Sequence, residues 1–311
     1  MNNKLEIIIP TWNRAKYLER TLIQFQNSPF FNCKITIIDN NSSDNTPKIC
    51  EKYKQIFPNL HIIRNNKNIG LSGNILYSYT IATSEYMWLV GDNDNYDFSD
   101  CSEIFNEIKK AKSDLIFIQG IDGENKINLK TTTTNELYEK GYGYDIIGLM
   151  GTISSYIFKT ELYTSECIQE GYNIAKYLYP QTAFTKKALN ENFTVYLTSK
   201  RIRIADSNPH VTYNTLELIN GWVSSMIIID KKYRHAGLKK YLGHYLMYTI
   251  IGGIIAAKVN KVEDYRKTLN NLIISIFSSK GIIIGFIYAI IMLFVSIIPY
   301  KIAKYIYNKF V

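Results

Sequence analysis

Short apolar runs alternate with amphipathic segments through the first part of this 311-residue chain. The apolar runs predict strands at residues 5–9, 35–38, 60–63, 86–90 and 115–118. Helical spacing of apolar residues predicts helices at residues 14–27, 46–56, 71–82 and 100–112. Because strands that alternate with helices form βαβ units, we expect an α/β fold in which helices flank a mostly parallel sheet. Beyond residue 120 the pattern weakens: residues 121–134 predict a loop or hairpin, and residues 151–158 alternate like a strand.

Polar residues follow the predicted strands at the points where they end. Thr11 and Asn13 follow the first strand, residues 39–44 follow the second, and residues 92–94 follow the fourth. The carboxyl ends of parallel strands meet at one edge of a sheet, and α/β sheets bind their ligands there. We therefore expect these clusters to form one site.

The run Asp92-Asn93-Asp94 places two carboxylates one residue apart, directly after a buried strand. Like charges this close repel one another and resist burial. A hard divalent cation removes that conflict, because carboxylate oxygens hold Mg²⁺ or Mn²⁺ while phosphates complete the coordination shell. The same residues are also good turn formers, so a polar turn is the alternative.

Composition and charge restrict the class of protein. The chain is 46% hydrophobic and 20% charged, which indicates a folded protein, and its four cysteines have no metal-ligand spacing. Thirteen lysines and arginines against two acids lie from residue 231 onward, so this tail has a net charge of +11 while the rest has −2. A near-neutral body with a basic, apolar tail is not the pattern of a nucleic-acid-binding protein.

Residues 281–299 are uncharged, and about 19 apolar residues can cross a bilayer core of ~30 Å. A single span would separate Lys301, Lys304 and Lys309 from a cytoplasmic body, although basic residues favour the cytoplasmic side themselves. An interfacial or re-entrant tail resolves this, and we expect a peripheral or monotopic protein at the cytoplasmic face of the inner cell membrane. The alternative is a helix buried in a domain interface or in a homo-oligomer.

Four motifs together resemble the family two glycosyltransferases of GT-A fold found in bacterial surface-polysaccharide assembly. Residues 10–14 (Pro-Thr-Trp-Asn-Arg) are similar to the family's P-T-Y/F-N-R segment, and residues 39–46 are similar to D-N-x-S-x-D-x-T. Residues 68–74 resemble its N-x-G segment, and residues 92–94 resemble its D-x-D. The resemblance covers residues 4–118, is weaker to about 206 and excludes the tail. It implies a nucleotide-sugar-binding subdomain at 1–97 and an acceptor-side subdomain at 98–220. The composition and charge of the tail, and not the resemblance, predict a helical membrane-associated region at 221–311.

The resemblance also implies roles for individual residues. Asp92 and Asp94 would hold Mn²⁺ or Mg²⁺. Asp39 would accept hydrogen bonds from a uracil or guanine edge, with an Asx turn or a helix cap as the alternative. The donor, a UDP- or GDP-type nucleotide sugar, would contact Pro10, Thr11, Asn13, Asp39, Asn41, Asn68, Gly70, Asn74 and Asp92. Arg14 could reach phosphate, with an exposed arginine at a helix start as the alternative. The acceptor side would include Thr152, Ser154 and Gln181.

The chain departs from the family pattern at the catalytic base. Inverting relatives carry a Glu-Asp pair on an acceptor-side helix, whereas residues 171–190 contain no carboxylate and Gln181 stands at the comparable site. A glutamine cannot take a proton. Asp97 and Glu170 are the candidate bases, with a structural role as the alternative for each.

We therefore expect metal-dependent, inverting transfer of a sugar from a nucleotide-sugar donor to a membrane-associated, lipid-linked glycan acceptor. The alternative is a non-catalytic GT-A-like binding or scaffold subunit of a polysaccharide assembly complex, which the missing Glu-Asp pair favours. A nucleotidyltransferase is a third possibility, but it would carry a glycine-rich, basic phosphate loop, and the residues near Thr11 form none.

Overall fold

The computed structural model describes residues 4–118, 130–204, 215–234, 244–259, 269–270, 273 and 282–310. Its main sheet has eight strands, namely β1 (Leu5–Thr11), β2 (Lys34–Asp39), β3 (Leu60–Arg64), β4 (Tyr86–Leu89), β6 (Leu115–Phe117), β7 (Thr131–Thr133), β8 (Tyr156–Lys159) and β9 (Thr194–Leu197). The strand order is β3-β2-β1-β4-β8-β6-β9-β7. A second sheet pairs β5 (Asn95–Tyr96) with β10 (Arg203–Ile204).

The two halves of the main sheet differ in strand direction. Strands β1 to β4 are parallel, as predicted. Beyond them the sheet is mixed, because β8 runs antiparallel to both β4 and β6, and β7 runs antiparallel to β9. Strands β6 and β9 are parallel to each other and run in the same direction as β1 to β4. Six of the eight strands therefore share one direction, and the expectation of a mostly parallel sheet is confirmed, with β7 and β8 as the antiparallel strands. One continuous sheet crosses residue 97, and the predicted subdomain boundary there stays a prediction.

Both faces of the sheet are covered by helices, namely α1 (Ala15–Gln26), α2 (Thr46–Lys54), α3 (Gly70–Ile81), α4 (Ser102–Lys110), α5 (Thr134–Leu137), α6 (Gly143–Met150), α7 (Ser165–Asn173) and α8 (Thr182–Asn190). The chain continues with four helices that belong to a separate core cluster, α9 (Thr215–Ser225), α10 (His244–Val259), α11 (Ile282–Ile297) and α12 (Tyr300–Phe310). Side chains alternate across β1, so Ile7 packs with Leu22 of α1 on one face and Ile8 packs with Leu76 of α3 on the other. The result is a three-layer arrangement with the sheet in the middle.

The predicted helices of the first 112 residues are confirmed to within a few residues at each end. The run at 151–158 begins as a 3₁₀ turn, Ile153–Ser155, and becomes a strand only at Tyr156. Most of the predicted loop at 121–134 lies outside the described residues, but Thr131–Thr133 forms strand β7.

The C-terminal helices form a hydrophobic core cluster of their own, separate from the two clusters on the faces of the sheet. It includes Trp222, Ile254, Met292 and Ala303. Helix α10 packs against α9, α11 and α12. In the part of the chain that the structure describes, no single helix has the length and hydropathy of a membrane span, while Ala289–Ile297 and Tyr300–Tyr307, bent by 103°, meet those criteria as a pair. The membrane-associated tail stays a prediction.

Candidate active site

The ends of β1 and β4 meet, because these strands are parallel neighbours in the sheet. The Thr11 hydroxyl donates a hydrogen bond of 2.7 Å to Oδ2 of Asp92, and both side chains are buried. From α1, the Thr21 hydroxyl donates to the backbone carbonyl of Asp92 at 2.9 Å. The structure thus brings together two of the strand-end clusters that the sequence analysis identified.

Two arginines pair with the two acids of the Asp92–Asp94 run. Nε of Arg14 lies 3.1 Å from Oδ1 of Asp92, and Nη2 of Arg203 lies 2.7 Å from Oδ1 of Asp94. Only 6% of Asp92 and 7% of Asp94 is exposed to solvent. Removing carboxylates from water is costly unless opposite charges compensate them, and the guanidinium groups supply that compensation.

Sequence analysis did not identify Arg203. It lies on β10, which reaches the site only because β10 pairs antiparallel with β5, directly after the acidic run. The residues around it, Arg201-Ile202-Arg203-Ile204, contain no signal that identifies the partner of this short strand. Arg14, by contrast, belongs to the first motif and is half-buried beside Asp92 instead of exposed at a helix start.

Asp92 has an altered proton affinity. The pKa of its carboxyl is raised to about 6, chiefly by burial; Arg14 and the hydrogen bond from Thr11 oppose this effect, and the nearby charge of Asp94 adds a smaller increase. The dominant cause is the loss of hydration, which disfavours the ionised form. A positive charge delivered to this carboxylate would therefore be bound favourably.

Helix α1 also holds the acidic loop through backbone groups. Nη2 of Arg20 donates to the carbonyl of Asn93 at 2.6 Å, and Nε2 of Gln24 donates to the carbonyl of Asp94 at 3.1 Å. Oε1 of Gln24 accepts from the amide of Tyr96 at 2.9 Å. With several loop backbone groups held by one helix, the two carboxylates are pre-positioned.

Gly91 leaves space beside the acids. A Cβ at this position would lie 3.0 Å from Oδ2 of Asp94 and 3.3 Å from the hydroxyl of Ser154. The described residues contain no group of three or more acids, histidines or cysteines that could enclose a metal ion. A pair of carboxylates nevertheless suits a divalent cation whose remaining ligands are water and substrate phosphates. The residues present fit such an ion if the guanidinium groups move off the oxygens they now occupy.

Asp39 lies at the end of β2 and is buried. Its Oδ1 accepts a hydrogen bond from the amide of Ser42 at 2.9 Å, and its Oδ2 accepts one from Nη1 of Arg64 at 2.9 Å. The first contact is a local hydrogen bond to the amide three residues on, one residue further than in an Asx turn, and it gives Asp39 a role in holding the loop. Recognition of a base by Asp39 stays a prediction.

The neighbouring predicted donor residues shape the loops. Asn13 and Asn41 adopt left-handed backbone conformations, with φ of 52° and 63°. Asn13 joins the loop after β1 to the loop after β2, since its Oδ1 accepts from the amide of Ser43 at 2.8 Å. Pro10 is buried within β1, in register with Ile38 of β2. These contacts give the residues structural roles, and their contact with a donor stays a prediction.

The motif at residues 68–74 forms an amide network with the end of β2. Nδ2 of Asn40 donates to Oδ1 of Asn68 at 2.8 Å, and Nδ2 of Asn65 donates to Oδ1 of Asn74 at 3.0 Å. Gly70 begins α3 with a φ of 77°, a conformation that side chains other than glycine rarely adopt. The structure therefore places Asn68, Gly70 and Asn74 beside the strand-end site, braced by two asparagines that sequence analysis did not single out.

One of the three acceptor-side candidates, Ser154, contacts the acidic loop, and Gln181 contacts the segment just before Ser154. The buried hydroxyl of Ser154 accepts from the amide of Gly91 at 2.8 Å. Nε2 of Gln181 donates to the carbonyl of Gly151 at 2.6 Å, next to half-buried Thr152. Oε1 of Gln181 is buried and has no hydrogen-bond partner in the described part of the chain. Buried polar atoms are rarely left unpaired, and this one is available for a donor from outside the chain.

The two candidate bases, Asp97 and Glu170, each form an ion pair with a lysine. Asp97 accepts from the amide of Ser99 and pairs with Lys200 at 2.9 Å, and these hydrogen bonds lower the pKa of its carboxyl to about 2. Glu170 pairs with Lys186 at 2.6 Å in the groove between α7 and α8. Efficient general bases have a pKa near the operating pH, so the contacts of Asp97 fit a structural role and argue against catalysis. The ion pair of Glu170 likewise fits its structural alternative.

Comparison with known proteins gives related sequences. The chain is 36% identical over 94 residues to the abequosyltransferase RfbV of Salmonella typhimurium. It is 29% identical over 92 residues to the GalNAc(5)-diNAcBac-PP-undecaprenol beta-1,3-glucosyltransferase of Campylobacter jejuni. Each alignment covers 29% of this chain, and they cover 28% and 30% of the two relatives, so the matched part is under a third of either relative's length.

Solved structures share the fold. The crystal structure of Staphylococcus aureus TarS 1-349 has a TM-score of 0.59 at 17% identity, covering 98% of this chain and 91% of that one. The mannosyltransferase PcManGT from Pyrobaculum calidifontis, in complex with GDP-Man and Mn²⁺, has a TM-score of 0.57 at 13% identity, covering 99% and 87%. The family model described as Glycosyl transferase family 2 matches residues 6–193, a segment that contains all four strand-end motifs and Gln181. The chain therefore belongs to glycosyl transferase family 2.

Proposed function

We propose that this glycosyltransferase moves a sugar from a UDP- or GDP-type nucleotide sugar to a lipid-linked or otherwise membrane-bound glycan, at the cytoplasmic face of the inner membrane. The observation that supports the proposal best is the buried pair Asp92 and Asp94, which lies at the carboxyl end of the parallel strands between two arginines. TarS in complex with UDP-GlcNAc shares the fold, and the Campylobacter relative is named for an undecaprenol-linked acceptor.

The acids would hold Mn²⁺ or Mg²⁺ together with the donor. A cation bound there would neutralise the diphosphate as the nucleotide leaves. Arg14 and Arg203 would then exchange their carboxylate partners for diphosphate oxygens, which guanidinium groups bind well. The charges favour this exchange. The acids would pair with the cation and the arginines with the diphosphate, so no buried charge would be left unpaired.

Transfer would occur by a single displacement with inversion. The acceptor hydroxyl oxygen would bond to the anomeric carbon from the side opposite the leaving diphosphate, while the bond between that carbon and the diphosphate oxygen breaks and the hydroxyl proton passes to water. Gln181 would orient this hydroxyl, since its Oε1 is a buried acceptor that lacks a donor. It cannot take the hydroxyl proton, so its role is positioning.

A second candidate function is a binding or scaffold subunit of a polysaccharide assembly complex. Gln181 in place of a carboxylate favours it, and so do the ion pairs that occupy Asp97 and Glu170. Such a subunit would bind a nucleotide sugar without breaking it.

Nucleotide release separates the two functions. We would incubate the full chain with a panel of UDP and GDP sugars and Mn²⁺, and follow free UDP or GDP. An enzyme releases nucleotide slowly by hydrolysis even without an acceptor. The Asp94→Asn variant should abolish this release, and the control Asp100→Asn, at an exposed acid that contacts Ser102, should retain it. No release with any donor, from a chain that binds nucleotide, would favour the scaffold function.

A further inference from the structure

Helix α11 is apolar on two opposite faces. Met292 and Val295 are buried in the cluster that includes Ile254 of α10. The other face is formed by large side chains that are 53–71% exposed, namely Ile290, Leu293, Phe294 and Ile297. A helix that is hydrophobic on all sides is normally buried on all sides, so we expect a binding partner to cover the outer face.

The bend between α11 and α12 is fixed by the rest of the fold. Nζ of Lys258, on α10, donates to the carbonyl of Ser296 at 2.8 Å and also to that of Ile298, which satisfies backbone groups at the end of α11. Pro299 follows, and Ala303 of α12 is fully buried. The outer apolar face therefore belongs to a packed helical unit.

Basic and aromatic side chains border this face on α12. Lys301 and Lys304 are exposed, and so are Tyr300, Ile302 and Tyr305. Residues 282–310 contain no acidic residue. Lysine and tyrosine beside exposed aliphatic side chains are typical of a position at the boundary between lipid headgroups and acyl chains.

We propose that a surface at this bend docks on an anionic lipid bilayer and lies in its interface. This bend surface consists of Ile290, Leu293, Phe294, Ile297, Tyr300, Lys301, Ile302 and Lys304. At 1.5 Å per residue, the 16 residues of α11 extend about 24 Å, which is short of a bilayer core of ~30 Å. A second copy of this chain is a poorer occupant, because a symmetric contact would bring the lysines of both copies together without an acid to pair them.

The bend surface is joined to the acceptor side by direct packing. Gly151, whose carbonyl accepts from Gln181, lies so close to Trp222 that a Cβ on it would be 2.0 Å from the indole ring. Trp222 of α9 belongs to the same core cluster as Ile254 and Met292. This connection deepens the proposed function and depends on it: docking would hold the acceptor side near a lipid-linked glycan. The docking itself does not depend on catalysis.

Flotation of the full chain with lipid vesicles tests the docking. We would compare vesicles of phosphatidylcholine alone with vesicles that also contain phosphatidylglycerol. The double variant Phe294→Ser and Ile297→Ser should lower binding by at least tenfold. The matched control Ile227→Ser removes an aliphatic side chain with similar exposure on the turn Met226–Ile228, outside the bend surface, and should bind like the unaltered chain.

Charge provides an independent test with variants at exposed positions. Lys301→Gln and Lys304→Gln should each weaken binding to phosphatidylglycerol vesicles by about fivefold and reduce the preference over phosphatidylcholine. Nucleotide release from a soluble donor should be unchanged in all of these variants, so failure of docking and failure of the proposed activity are distinguishable. Equal vesicle binding by the double serine variant and the unaltered chain would overturn the proposal. The proposal would also be overturned if the unaltered chain formed a dimer that binds no vesicles and if the double serine variant were a monomer.

Discussion

The strand-end site and the bend surface are opposite exceptions to the usual distribution of side chains. At the strand ends, two carboxylates are buried and their charges are balanced inside the protein by Arg14 and Arg203. At the bend surface, large apolar side chains and lysines are exposed, as at Phe294, which is 71% exposed. Departures from consistent burial tend to mark functional sites. Under the proposed function, the strand-end site would exchange its internal partners for a ligand, whereas the bend surface would gain its partner only when it docks.

The largest expected effect is on the acids. Asp94→Asn should lower sugar transfer by about a thousandfold while the chain stays folded, because it removes a charged metal ligand at the reacting diphosphate. EDTA should abolish transfer by the unaltered chain, and Mn²⁺ should restore it. Initial rates and circular dichroism check both points, with Asp100→Asn as the control. Full activity in EDTA would contradict the proposed metal role.

Arg203 should affect stability strongly when metal is absent. Arg203→Gln leaves Asp94 buried without its cation and should lower the free energy of unfolding by about 3 kcal/mol in EDTA. Mn²⁺ should recover part of this loss, since an ion that binds only the folded state stabilises it. Urea denaturation with and without Mn²⁺ measures this. Lys200→Gln, which breaks the more exposed pair with Asp97, should cost less than about 1 kcal/mol. Equal losses of unfolding free energy in both variants would show that the buried ion pair stabilises the fold no more than the exposed one.

Asp92 gives the site a pH-dependent stability. Its pKa is about 6 in the folded chain against 3.8 for an ordinary aspartate, so the folded state holds a proton that the unfolded state has released. The free energy of unfolding should therefore fall as the pH rises from about 4 to about 6, by up to about 3 kcal/mol. Asp92→Asn should remove this slope. Urea titrations in EDTA across that range test it, and parallel curves for the two proteins would show that Asp92 is not the source of the slope.

Asp39 should affect affinity more than turnover. Asp39→Asn should weaken binding of UDP or GDP by about tenfold and change the rate at saturating donor much less, because a base contact is remote from the reacting bond. Calorimetry with the free nucleotide measures this. Unchanged affinity would assign Asp39 to loop structure alone, through Ser42 and Arg64.

The smallest effect is expected at Asp97. Asp97→Asn should leave the transfer rate within about twofold, since this carboxylate is already held by Ser99 and Lys200. A loss of several orders of magnitude, with the fold intact, would restore Asp97 as the general base and contradict its structural role.

Sequence reasoning succeeded where structure depends on local patterns. The apolar runs and helical faces of the βαβ units are patterns within short stretches of sequence. They were sufficient to predict the first four strands and the proximity of Thr11 to Asp92. The direction of β8 and the pairing of β10 with β5 depend on long-range contacts, which periodicity does not contain. Arg203 was missed for that reason, since a two-residue strand gives almost no signal of its partner.

Binding of Mn²⁺ to the unaltered chain, measured by calorimetry with and without UDP or GDP, tests most directly whether the buried acids and their arginines form a donor site. We expect weak binding of Mn²⁺ alone, because guanidinium groups occupy the carboxylates. With nucleotide present we expect binding at least tenfold tighter, because the diphosphate would supply further ligands to the metal and would accept hydrogen bonds from the arginines. The same Mn²⁺ affinity with and without nucleotide would contradict this expectation.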